Sequence, residues 1–193
     1  MSSLKEQIDL LEEDLTANPP RISVYHDLPF AILRYDPNEE WNLRKEVRLL
    51  ATRLEDAGKV VHIIFMSQLL WKVVQESEGI EEIVNLEKKH GYIAAQEQIT
   101  TYLSDRIWRP LADQLAEKLQ ALNQTNAIAF LVRTAAMSPG IYHMSKLLDE
   151  MHGRTTVTTI LFYPGSIEGT TGLKFMAMKD YEALGNYRVK IYG

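Results

Sequence analysis

The second half of the chain predicts two buried strands joined by one helix, and this pattern limits the fold more than any other feature. The runs Asn126–Arg133 and Thr156–Gly165 are apolar or β-branched almost throughout and lack polar alternation. Such runs are typical of parallel strands that are covered by helices on both faces. Between them, Ser138 is predicted to cap a helix that has Pro139 at its first position and Gly153 at its end. The spacing predicts a β–α–β unit, around which the other elements should pack.

The first half of the chain predicts more helices and strands of the same kind. Ser3 and Glu6 form a capping box for an opening helix, whose apolar stripe packs either on its own domain or, less favourably, on a partner. The strand Phe30–Tyr35 runs directly into a helix that Asp36 should cap. A second strand covers Lys59–Phe65. Repeated strands and helices of this kind favour a doubly wound α/β domain.

The helix predicted after the first strand also carries two basic residues outside its apolar stripe. Arg44 and Arg48 lie one turn apart on a face different from the buried one.

The region from about residue 79 to 122 is helical and too long for one crossover helix. Its apolar stripe contains Pro110, so we expect a kink or a break near Ser104 to Pro110. We interpret this region as a helical insertion beside the sheet. Beyond it, residues 165–172 are predicted to form a glycine-rich loop.

The end of the chain is predicted to form a C-terminal antiparallel hairpin at the edge of the sheet. Its strands are Leu173–Met178 and Tyr187–Tyr192, with no helix between them. No linker justifies a second domain, so residues 1–193 are predicted to form a single α/β domain with a mostly parallel sheet flanked by helices.

Composition narrows the class of function. The 193 residues carry a net charge of −5 and include no cysteine, which removes disulfides, thiol nucleophiles and cysteine zinc sites. The acidity argues against broad binding to phosphate backbones, although it leaves room for a local basic patch. No apolar run approaches the ~20 residues of a membrane-spanning helix. We therefore expect a soluble, cytoplasmic protein.

Polar residues cluster where the predicted strands end, and ligands of open α/β sheets bind at the carboxyl ends of strands. These residues could bind an anion or form an internal ion-pair network, and Asp36 has an alternative role as a helix cap. Arg133, if buried, needs an anionic partner, for which Asp36 and Glu168 are candidates. The candidate structural or ligand cluster comprises Arg34, Tyr35, Asp36, Arg133, Tyr163 and Arg188.

No motif for catalysis, cofactor binding or metal binding is present. A P-loop needs glycines followed by lysine and serine or threonine between a strand and a helix, and neither the segment after the first strand nor residues 165–172 match. The Gly-x-Gly-x-x-Gly and His-Glu-x-x-His motifs are absent as well. Ser138 suits a cap better than a nucleophile elbow. The sequence predicts no catalytic, cofactor or metal residue.

The order and spacing of several short motifs resemble the BrxB family, the small core component of bacterial BREX phage-defence systems. The resemblance spans nearly the whole chain, and Phe162–Gly165 is its most specific motif. In the first half it includes Pro29, Phe30, Tyr35–Pro37 and Arg44. In the second half it comprises Phe130–Arg133, Ser138–Pro139, Lys146–Leu148, Leu161–Gly165, Leu173–Phe175 and Asn186–Arg188.

The resemblance implies a cytoplasmic, non-catalytic component of an anti-phage defence complex that binds PglZ, the phosphatase-like member. It also implies a core similar to a P-loop NTPase or AAA-type domain that lacks the P-loop. Nucleic acid would be reached only indirectly, through the complex. The alternative is a degenerate nucleotide- or nucleic-acid-binding protein that uses Arg34, Arg133 and Arg188. The sequence leaves the oligomeric state open.

Overall fold

A parallel β-sheet lies at the centre of the structure, a computed structural model that describes residues 3–22, 28–122, 125–169, 172–176, 178 and 187–193. The strands of the described residues are β1 (Phe30–Tyr35), β2 (Val60–Phe65), β3 (Ala127–Val132), β4 (Thr158–Glu168), β5 (Gly172–Phe175) and β6 (Lys190–Tyr192). The α-helices there are α1 (Leu4–Thr16), α2 (Glu40–Asp56), α3 (Met66–Glu76), α4 (Ile80–His90), α5 (Tyr92–Ser104), α6 (Leu111–Gln120) and α7 (Met144–Met151).

The strand order is β2-β3-β4-β1-β6, and all these neighbours pair in parallel. Only β5 departs from this pattern, since it pairs antiparallel with the end of β4. The predicted fold class, a mostly parallel sheet flanked by helices, is confirmed. The similarity to a P-loop NTPase or AAA-type core stays a prediction, as does the single domain.

Two hydrophobic clusters cover the two faces of the sheet. Alternate residues of β1 enter different clusters: Phe30 and Ile32 face one side, while Ala31, Leu33 and Tyr35 face the other. Side chains from α3, α5, α6 and α7 fill the first cluster, and α1 and α2 fill the second. Burial on both faces explains why the central strands are apolar at nearly every position.

Helix α1 packs on its own sheet, as the sequence favoured. The capping box is present: the Ser3 amide donates to the Glu6 carboxylate at 2.8 Å, and the Glu6 amide donates to the Ser3 hydroxyl at 3.3 Å. Near the end of α1, Asp14 accepts a hydrogen bond from the Tyr192 hydroxyl at 2.6 Å and pairs with Lys190. These contacts attach α1 to β6, the last strand at this edge of the sheet.

The predicted helical insertion consists of α4, α5 and α6, which lie between β2 and β3 in the chain. The expected break is confirmed, because α5 ends at Ser104 and α6 begins only after Pro110. The Ile107 side chain in the intervening loop is 83% exposed. Inside the insertion, Tyr102 packs edge-on against Trp108 with ring centroids 5.2 Å apart.

The predicted helix start at Ser138 is wrong. After β3 the chain forms a 3₁₀ turn, Thr134–Met137, and α7 begins at Met144 with His143 as its cap residue. The amides of Gly140 and Ile141 both donate to the Met137 carbonyl, so turns already satisfy this backbone. Met137 is fully buried there, and α7 begins only after this buried segment.

The glycine-rich loop predicted for residues 165–172 is also wrong, because β4 continues as a strand to Glu168. This extension pairs antiparallel with β5, with Ile167 opposite Leu173. Gly165 is needed in this ribbon because a Cβ atom there would lie 2.2 Å from the Lys174 carbonyl oxygen.

The predicted C-terminal hairpin between residues 173–178 and 187–192 does not form. The first strand pairs with β4, while β6 joins the far edge of the sheet beside β1, with Ile32 opposite Ile191. The extension of β4 gives β5 a nearer partner than the end of the chain, and β1 offers β6 a free parallel edge. The residues predicted to turn between the strands, 185 and 186, lie outside the described residues.

The central position of β4 makes Phe162 a sensitive probe of the fold. Its ring is fully buried and packs edge-on against Phe130, with centroids 5.3 Å apart. We predict that Phe162→Ala lowers the free energy of unfolding by about 3 kcal/mol or more, because it leaves a cavity between two covered layers. Urea denaturation measures the loss.

A matched control is Trp71→Ala on α3, where the side chain is 50% exposed. This variant should cost much less than the Phe162 variant, since little apolar surface returns to water. A Phe162 variant that loses less than about 1 kcal/mol would contradict the packing of β4 at the centre of the core.

Candidate functional site

The carboxyl ends of the parallel strands meet at one edge of the sheet, as the sequence predicted. Tyr35 lies opposite Pro164 in the β1–β4 pair, and Phe65 lies opposite Val132 in the β2–β3 pair. The strand-end residues are therefore neighbours in the sheet. However, side chains alternate between faces, and this divides the predicted cluster into two groups.

Arg34 and Tyr163 form the first group, on the face covered by α3 to α7. They are register partners across β1 and β4. The Tyr163 hydroxyl donates to the Leu173 carbonyl at 3.4 Å, and its ring packs edge-on against Phe175 and Tyr187. Burial, together with the neighbouring Tyr187, raises the pKa of Tyr163 far above its usual value. This tyrosine is thus held neutral in an aromatic cluster.

The Arg34 side chain is a buried cation beside this cluster. The residue is only 6% exposed, and its Nε atom has no hydrogen-bond partner. It lies under Gly193, where a Cβ atom would come within 2.8 Å of Nε. Arg34 therefore fills the space between the aromatic cluster and the end of β6.

Tyr35 belongs to the second group, on the face covered by α2. Its hydroxyl donates to one carboxylate oxygen of Glu40 at 2.5 Å, and Arg44 Nε donates to the other oxygen at 2.8 Å. The Arg44 guanidinium also stacks on Trp41, 4.3 Å from the ring centroid. Burial raises the pKa of Tyr35 far above its usual value, and the hydrogen bond to Glu40 adds to this effect. Glu40 is therefore a shared acceptor for a tyrosine and an arginine.

Arg133 joins this second group through an unusual backbone conformation. Its φ of 61° is left-handed, which is uncommon for a residue with a side chain. The guanidinium lies over the Phe65 ring, 5.5 Å from its centroid. Within the described parts of the chain, Arg133 forms no ion pair with either predicted partner, Asp36 or Glu168.

The two predicted partners are occupied or distant. Asp36 caps the turn before α2 by accepting from the Asn38 amide at 2.8 Å, so its alternative role as a cap is confirmed. Glu168 is exposed at the far end of β4, beyond the sheet edge where Arg133 lies. Arg188, the last member of the predicted cluster, precedes β6 and is exposed.

A cleft between α2 and the ends of β2 and β3 gathers residues that the predicted cluster omitted. Part of this cleft is open to solvent. Arg48 lines it together with Arg44 and Arg133. The sequence signal for Arg48 was its position one turn after Arg44, outside the apolar stripe. Its proximity to Arg133 depends on tertiary structure.

The described residues include neither a metal site nor a membrane-spanning helix. They contain no group of three or more His, Cys, Asp or Glu side chains placed to hold a metal ion. None of their helices is long and apolar enough to cross a membrane.

The sequence model of the BrxB family, described as "BREX protein BrxB", matches residues 63–191, which is more than half of the chain. The chain belongs to the BrxB family. A BREX protein BrxB from Bacillus cereus (strain H3081.97) is 20% identical over 170 residues, which cover 80% of each chain. No solved structure matches. Membership of the BrxB family makes this protein a component of a BREX defence system.

The hydrogen bond between Tyr35 and Glu40 can be tested by Tyr35→Phe. We predict a loss of about 1–2 kcal/mol in the free energy of unfolding, because a partly buried carboxylate loses a donor. Tyr92→Phe is the control, since Tyr92 is 63% exposed. Equal losses in the two variants would show that the bond to Glu40 contributes nothing specific.

The stabilisation by Tyr35 is predicted to depend on pH. Because the pKa of Tyr35 is raised in the folded state, the unfolded chain loses this proton first, near the usual pKa of 10.0. The stabilisation is therefore complete below pH 10 and decreases as the pH rises above it. Above that pH, the free energy of unfolding of Tyr35→Phe should fall less steeply than that of the wild type in urea titrations. Parallel slopes would contradict the buried, neutral state of Tyr35.

Proposed function

We propose that this protein is a non-catalytic assembly component of a BREX complex and that it binds the PglZ-type protein of the same system. Membership of the BrxB family supports a role beside other BREX proteins. The observation that carries the proposal is a set of large apolar side chains left exposed on the helical insertion. Exposed apolar surface of this kind is typical of protein–protein contacts.

These side chains lie on the hairpin formed by α4 and α5. Only Gly91, with a φ of 85°, separates the two helices, and Ile83 and Ala95 turn inward from them. The outward residues, which we name the hairpin face, are Ile80, Val84, Tyr92 and Ile93. All four are at least 40% exposed, so the hairpin buries one side and presents the other to solvent.

A groove beside Ile93 offers a recess for a partner side chain. One wall is formed by α5 through Ile93, Gln96, Glu97 and Thr100, and the segment from Pro139 to Ile141 forms the other. Concave, mostly apolar recesses next to exposed aromatic residues are common positions for the residues that dominate binding energy. The hairpin face and this groove together make the most suitable contact region for PglZ.

The alternative, binding of a nucleotide or nucleic acid through Arg34, Arg133 and Arg188, has weaker support. Arg34 packs on the face covered by α3 to α7, whereas Arg133 lies on the α2 face over Phe65. These residues do not converge on one ligand. We accordingly assign no catalytic role to the strand-end cluster, and we place the protein in the cytoplasm with its partners.

Ile93→Asp tests the hairpin face. The full chain is co-expressed with the PglZ-type protein of its gene cluster and analysed by size-exclusion chromatography with light scattering, followed by titration calorimetry. We expect a stoichiometric wild-type complex and a loss of affinity of about tenfold or more in the variant, because a charge enters an apolar contact. The matched control is Leu10→Asp on α1, an equally exposed apolar residue, at 55% against 51%.

Separate wild-type peaks at micromolar concentration would contradict the proposed partner. Loss of the complex in Leu10→Asp but not in Ile93→Asp would instead place the contact on α1. Circular dichroism of both variants verifies that they remain folded.

A further inference from the structure

The cleft on the α2 face has more positive than negative side chains. It contains the guanidinium groups of Arg44, Arg48 and Arg133 and one carboxylate, Glu40. Glu40 already accepts hydrogen bonds from Tyr35 and Arg44. Neither Arg48 nor Arg133 has an ion pair with any described residue. The cleft therefore carries an excess of two positive charges in a protein whose net charge is −5.

The structure holds one of these cations in a fixed and unfavourable conformation. Arg133 has a φ of 61°, and such strain persists where the surroundings enforce it, often at ligand-binding positions. The next residue anchors it, because the Thr134 hydroxyl donates to the buried Phe162 carbonyl at 2.6 Å. The guanidinium lies over the ring of Phe65, which also lines the cleft. It is thus positioned before any ligand arrives.

The lower wall of the cleft is apolar. Ile63 and Phe65 of β2 and Val132 of β3 form it, with Leu43 and Val47 of α2 opposite. Strand β2 lies at the edge of the sheet, so Ile63 and Phe65 are only partly buried. The cleft therefore combines a flat apolar surface with a cationic rim at the carboxyl ends of parallel strands, the usual ligand position in such sheets.

We propose that this cleft binds a small molecule in which a phosphate group is attached to a flat, apolar ring system, such as a nucleoside monophosphate. The forked guanidinium groups of Arg48 and Arg133 match the oxygens of a phosphate, whose two negative charges balance the excess. The ring system lies against Ile63, Phe65 and Val132. This site is separate from the hairpin face, and its existence does not depend on the proposed binding of PglZ.

The test is titration calorimetry of the full chain at constant ionic strength with inorganic phosphate, adenosine monophosphate and adenosine as probes. We expect saturable binding of one adenosine monophosphate, at least about tenfold tighter than phosphate or adenosine alone. Arg48→Ala should weaken it about tenfold or more, because a charge-assisted hydrogen bond is lost. Lys45→Ala is the matched control, an exposed cation on the same helix that does not line the cleft.

A second variant separates binding from folding. Arg133→Gly removes the side chain but accepts the positive φ, so we expect it to lose binding without losing thermal stability. Equal binding by the wild type and both variants, or a response that does not saturate, would overturn the proposal. Equal affinity for phosphate and adenosine monophosphate would overturn the role of the apolar wall. If no probe binds but Arg48→Ala weakens the PglZ complex, the cleft receives an acidic side chain of the partner, and the proposal is wrong.

Discussion

The fold is built on the burial of β4 between β1 and β3. Parallel pairing on both sides satisfies its backbone, and Phe162 and Phe130 meet edge-on beneath α1 and α2. A strand in this position must be apolar on both faces, so helices have to cover both. The contact of Asp14 with Lys190 and Tyr192 then fastens α1 to β6, which keeps the second layer in place over the sheet.

The alternation of side chains along β1 separates the polar residues at the sheet edge. Arg34 points to the aromatic cluster around Tyr163, whereas Tyr35, its neighbour in sequence, points to Glu40 and α2. The same edge therefore supports two different environments. One is a closed cluster in which a tyrosine stays neutral, and the other is an open cleft with arginines at its rim.

The protein presents two surfaces on opposite layers of one scaffold. The hairpin of α4 and α5 belongs to the layer that contains α3, and it exposes apolar side chains suited to a protein partner. The arginine cleft belongs to the α2 layer and suits an anion. Under the two proposals above, a protein partner and a phosphate-bearing ligand would bind separate surfaces of this protein. Mutations on one layer can then be interpreted without disturbance of the other.

Elements whose signal is local could be predicted from the sequence. The capping box of α1, the strand Phe30–Tyr35, the cap at Asp36 and the break before Pro110 depend on side chains close in sequence, and all are present. Buried apolar runs likewise indicated the parallel sheet. Competition between distant segments could not be predicted. The buried Met137 precedes α7, β5 pairs with the extension of β4, and β6 pairs with the edge of β1. The arginine cleft could not be predicted from the sequence, because Arg48 and Arg133 line one space only when α2 packs beside β2 and β3.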